Sequence, residues 1–64
     1  MIDWLIYIDA CGWQIISTTE LKERLHDGLC NRQVWRLIKG RQPENRYIDN
    51  YGIVRDVFGN VEVL

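Results

Sequence analysis

The chain opens with an apolar run. Trp4-Leu5-Ile6-Tyr7-Ile8 has no charged residue, and Trp13-Gln14-Ile15-Ile16 follows after Asp9-Ala10-Cys11-Gly12. Aromatic and β-branched residues dominate both runs. Asp and Gly bracket the gap as they do in a tight turn. The pattern predicts a β-hairpin. Its first strand is apolar on both sides, so it is expected to be central or covered.

Ser17-Thr18-Thr19-Glu20 has the spacing of a capping box, and Ile16 and Leu21 are placed as a hydrophobic staple around it. A helix is expected from about Thr18, burying Leu21 and Leu25 and ending at Gly28. A second helix is expected over residues 31–39. Asn31 suits its N-cap, Gly40 its left-handed end, and Pro43 stops any continuation. On that helix Cys30, Val34, Leu37 and Ile38 share an apolar face, and Arg32, Arg36 and Lys39 lie together opposite. Beyond it, Tyr47-Ile48 and residues 53–57 and 61–64 read as short strands. Gly59-Asn60 between the last two fits a two-residue type II′ loop. Tyr-Ile-Asp-x-x-Gly occurs at Tyr7–Gly12 and again at Tyr47–Gly52. Either an old duplication or convergent turn chemistry accounts for this echo.

The expected fold is therefore α+β. A β-hairpin leads into a two-helix helix-turn-helix unit, and a C-terminal β-hairpin or three-stranded meander completes a winged-helix-like arrangement. Sixty-four residues make one domain at most. A core of that size leaves little stability in reserve, so a homodimer or a partner is expected. A hydrophobic content of 47% with one proline is that of a folded chain. Trp4 and Trp13 are expected in the core or on a sheet face, and Trp35 at a partly buried edge.

Charge changes the picture more than composition does. The net charge is −1, which counts against nucleic-acid binding by the whole surface. The charges are segregated, however. Residues 31–46 hold five of the eight Lys and Arg residues, with Glu44 as their one acid, whereas residues 1–30 hold five acids against Lys22 and Arg24. Such segregation makes a local potential even when the sum is near zero.

Other chemistry is sparse. Cys11 and Cys30 read as reduced, half-buried residues of a cytosolic protein. No basic leader and no membrane-length apolar run is present, so a cytoplasmic location away from membranes is expected. His26 is the one histidine, without the ligand spacing of a metal site, and it suits a cation near a helix C-terminus. Neither a glycine-rich phosphate loop nor a catalytic constellation stands out. The expectation is a protein without cofactor that is not an enzyme.

Residues 20–25, Glu-Leu-Lys-Glu-Arg-Leu, and residues 28–40, Gly-Leu-Cys-Asn-Arg-Gln-Val-Trp-Arg-Leu-Ile-Lys-Gly, resemble the helix-turn-helix of lactose-repressor-type bacterial regulators. That pattern runs E-L-A-E-R-L-G-V-S-x-x-T-V-S-R-x-L-x-G. Here His26-Asp27 are inserted before the glycine, Lys22 replaces a small residue, and Asn31 stands at the Ser/Thr cap. Residues 48–56 are similar to the V-S-N-x-G-x-V-R-S core of modular DNA-binding motifs in phage homing endonucleases. Asn50, Gly52, Val54 and Arg55 match, and Asp49 and Asp56 replace serines.

Together these resemblances imply a phage or mobile-element regulator that binds duplex DNA with its second helix in the major groove. Arg36 would read guanine and Gln33 adenine, beside Arg32. Lys39 and Arg41 would hold phosphates, Arg46 would extend the basic turn, and Arg55 would contact the backbone from a wing. The alternative is a phage-type protein-interaction module or inhibitor that binds a host protein, which the slight acidity, surplus aromatics and small size favour. Surface potential discriminates the two. A continuous positive strip from residue 32 to Arg55 favours DNA, and acids beside Arg36 favour a protein.

Overall fold

The computed structural model describes all residues from Met1 to Leu64. Strands β1 (Ile2–Ile8) and β2 (Gly12–Ser17) form the expected hairpin, with Tyr7 opposite Trp13 and Leu5 opposite Ile15. Helix α1 (Thr18–His26) then returns the chain so that β3 (Arg32–Ile38) pairs with the other side of β1. Strands β4 (Glu44–Ile48) and β5 (Val54–Arg55) extend the sheet to the order β2-β1-β3-β4-β5, with every neighbouring pair antiparallel. Strand β1 lies inside the sheet, which explains why it is apolar on both sides. No helix is long and apolar enough to cross a membrane.

The helix-turn-helix expectation fails here. The chain has one helix, and residues 32–38 form a strand where a second helix was expected. Three features account for this. Val34, Trp35, Leu37 and Ile38 are strand-favouring residues apart from Leu37, and at a period of two Val34 and Ile38 fall on one side of a strand and Trp35 and Leu37 on the other. Asn31 does not cap a helix. It sits in the left-handed region at φ 55, and its N–H donates to Asp49 O at 3.2 Å, tying the chain to the end of β4. Gly40 (φ 81) serves a β-turn, in which the Arg41 N–H donates to Ile38 O at 3.1 Å, so β3 leads into β4 through a hairpin. The strand aims Arg36 toward the covered side of the sheet, opposite Trp4 of β1. Glu44 stands directly across from it in β4 and supplies the missing counter-charge.

The core lies between the sheet and α1, with part of the C-terminal segment against it. Trp4, Ile6, Ile16, Leu21, Val34, Ile48 and Val54 are buried there, and Leu25, Leu29 and Leu64 pack on its margin. The helix start is tied to β1 through Trp4. Its indole N–H donates to Thr18 Oγ1 at 3.0 Å, and the Thr18 hydroxyl donates to Ile2 O at 2.9 Å. Half of the capping box forms, since Ser17 Oγ accepts from the Glu20 N–H at 3.1 Å. The Glu20 carboxylate turns instead to Arg24 one helical turn on.

The strands of the second half lie at their expected places but with different lengths. Strand β4 begins at Glu44, β5 keeps only two residues, and Val61 adds a single bridge to Arg55. The expected two-residue loop at Gly59-Asn60 is a longer one, closed by the Asp56 N–H donating to Asn60 O at 2.9 Å. Two aspartates build the loops here. Asp49 Oδ1 accepts the Tyr51 and Ile53 N–H groups, and Asp56 Oδ1 accepts those of Phe58 and Asn60. Asp49 and Asp56 thus share one turn chemistry. Asp9, the echo's counterpart, accepts no such bond, although Gly12 and Gly52 both take φ near 80° (79° and 80°).

These loops predict an acid limit. The Ile53 N–H and then the Arg55 guanidinium hold Asp49 below its ordinary value of 3.8, and the Asn60 and Phe58 N–H groups hold Asp56 below the same value. Both are carboxylates whose folded value is depressed. Their stabilisation is complete above the ordinary value and is lost as pH falls through it toward the folded one. Equilibrium denaturation at stepped pH should therefore show stability declining below about pH 4. Asp56→Asn should flatten that decline.

Candidate interaction face

The seven side chains expected to contact DNA do not form one basic surface. Strand alternation sends Arg32 and Arg36 to the covered side of the sheet and Gln33 to the open side. Arg32 Nη1 donates to Tyr7 O at 2.9 Å, and its Nε donates to Cys30 O at 3.4 Å. Arg36 and Arg46 are drawn together between two acids. Arg36 Nη1 lies 2.8 Å from Glu44 Oε1, and Arg46 Nε lies 2.6 Å from Glu62 Oε1. Cross-pairs at 3.9 Å (Arg36–Glu62) and 3.8 Å (Arg46–Glu44) close the cluster. Arg55 Nε sits 2.9 Å from Asp49 Oδ2. Gln33 Nε2 donates to Asn45 Oδ1 at 2.7 Å. Lys39 and Arg41 remain, both exposed at the β3–β4 turn and in no ion pair. Acids therefore stand beside Arg36, and no positive strip runs from β3 to Arg55.

The charge cluster has a structural consequence. Glu62 reaches two arginines whose side chains are only 22% and 15% exposed, and so fastens the C-terminal segment over the sheet. Removing one partner of a largely buried pair strands the others. Glu62→Ala should lower stability by about 1–3 kcal/mol, measured by urea denaturation, and should raise exchange of the position-62 and Asp56 amides, which bond to Val54 O and Asn60 O.

The opposite face of the sheet carries no layer of its own. Alternation brings Asp3, Leu5 and Tyr7 of β1, Trp13 and Ile15 of β2, Gln33, Trp35 and Leu37 of β3, Asn45 and Tyr47 of β4, and Arg55 of β5 to this side. Much of it is apolar and open: Tyr7 is 44% exposed, Trp13 55%, Ile15 65% and Tyr47 47%. The Tyr7 and Trp13 rings meet edge to face, with centroids 5.6 Å apart and planes at 69°. That contact steadies both rings without covering them. At the far end Gln33, Asn45, Tyr47 and Val57 line a shallow depression against the Asp56 loop. The face is an aromatic surface with amide groups set into it. Arg55 is its one cation, and Asp49 neutralises it.

Sequence reading missed this face as a unit. The pairing of Tyr7 with Trp13 follows from the first hairpin, but Tyr47 joins them only through the β3–β4 register that the helical reading removed. No protein-family model matches the chain, and neither a curated protein nor a solved structure matches it.

Proposed function

We propose that the protein is a protein-interaction module that binds a partner protein through the open face of its sheet. The observation that carries this reading is the aromatic surface of exposed Tyr7, Trp13 and Tyr47 with half-buried Trp35 among them, rigidly spaced by four strands. Tyr and Trp are the side chains that concentrate binding energy at protein interfaces, because they offer large contact area with few rotors to immobilise. Gln33 and Asn45 supply polar groups within the same surface. Groove docking by a helix of residues 31–39 is not proposed, since those residues form β3.

The charge arrangement supports the same choice. Binding to a nucleic-acid backbone draws on cations free to displace counterions. Most of the basic side chains expected for that role already bond to carboxylates or carbonyls. Affinity capture with the immobilised protein is the test. A stoichiometric protein partner that survives nuclease and moderate salt, and is lost with Trp13→Ala, is the expected result. Salt-dependent binding to duplex DNA, weakened by Lys39→Ala and Arg41→Ala and indifferent to Trp13→Ala, would overturn the reading.

A further inference from the structure

The two edges of the sheet are finished differently. At the β5 edge the strand has two residues. Val61 bridges to Arg55, and the Glu62 N–H donates to Val54 O at 2.8 Å. A short strand covered by a following segment is a common way to close an edge. The β2 edge has no such cover. Strand β2 runs six residues, Gly-Trp-Gln-Ile-Ile-Ser, and pairs with β1 alone. It has no charge, no proline and no bulge, so it lacks the devices that ordinarily keep an edge from pairing. Within it Trp13 and Ile15 are both more than half exposed.

We infer that β2 is a self-pairing edge: two copies join antiparallel through β2 into one continuous sheet. An antiparallel ladder has local two-fold symmetry, so an edge strand can be its own complement. Pairing Gln14 with Gln14 of the second copy sets Trp13 against Ile15 of the second copy on both sides of the axis. Residues of equal parity then face each other, so the two open faces stay on the same side of the joined sheet. Since β2 carries no charge, no like charges meet within the paired strands. Association removes from water apolar surface that the small core leaves uncovered. A second copy is the occupant because in this register each exposed Trp13 meets an exposed Ile15, an aromatic–β-branched cross-strand pair made twice by the two-fold.

This inference does not rest on the partner-binding reading, because it concerns the purified protein alone. Sedimentation velocity of the full chain over a dilution series tests it. The expected result is a species of twice 7.6 kDa that dissociates on dilution. Ile15→Lys, at a side chain exposed enough to leave the fold intact by circular dichroism, should raise the dissociation constant at least about ten-fold, because an edge lysine blocks strand pairing. Tyr47→Lys, on the same face but in β4, should leave the dimer unchanged. Hydrogen exchange should show protection of β2 amides that rises with concentration. A monomer at every concentration, a dimer indifferent to Ile15→Lys, or a dimer dissolved by Tyr47→Lys would overturn the inference.

Discussion

Trp4→Ala should unfold most of the protein at room temperature. Trp4 is 1% exposed at the centre of the core, and it is the largest of the fully buried side chains. Truncating a buried aromatic to alanine costs about 3–5 kcal/mol. A chain of this length has roughly 3–10 kcal/mol in total, at roughly 0.05–0.15 kcal/mol per residue. The loss also breaks the tie between sheet and helix, because Thr18 Oγ1 then holds Ile2 O without the indole above it. Thr18→Val isolates the polar part of the effect. It keeps the volume, leaves the Trp4 N–H without its acceptor, and should cost about 1–3 kcal/mol. Denaturation followed by far-UV circular dichroism checks both. A Trp4→Ala protein with most of the wild-type stability would contradict the packing described.

The second large effect belongs to the open face. Trp13→Ala and Tyr47→Ala should each weaken partner binding by about 2 kcal/mol or more, roughly thirty-fold, the size expected when an aromatic anchor is removed from the middle of an interface. Neither should unfold the chain, since both side chains are about half exposed and neither belongs to the buried core. This separation of folding from binding distinguishes the face from the core. Trp4 and Trp13 lie in adjacent strands but on opposite faces, and their truncation should give opposite phenotypes.

Local chemistry made the first third of the chain legible. The first hairpin, the Ser17 cap and the doubly apolar β1 each report on neighbours a few positions away, and each forms, although the turn closes from the Cys11 N–H to Ile8 O, one residue before the expected Asp9–Gly12. Residues 32–38 were not legible in this way. Val34 and Ile38 fit both periods, and the end signals at Asn31, Gly40 and Pro43 with the aligned Arg32, Arg36 and Lys39 favour a helix because the partners of Arg36 are remote. Glu44 lies eight residues downstream, and Glu62 belongs to a segment that folds back across the sheet. A charge pattern read along the chain sees five basic residues in one stretch. It does not see that tertiary pairing neutralises three of the seven side chains proposed to bind DNA. The candidate site suffered the same fate, because Tyr47 joins Trp13 and Tyr7 only through pairings between strands distant in sequence.

The central claim is that the aromatic face, and not the basic stretch, carries binding. The most direct measurement compares one captured partner's affinity for wild type, for the Trp13→Ala/Tyr47→Ala double variant, and for the Lys39→Ala/Arg41→Ala double variant, all by calorimetry at matched salt. The predicted result is loss of binding in the face variant and near-wild-type affinity in the turn variant. Full affinity in the face variant, with loss in the turn variant, would contradict it.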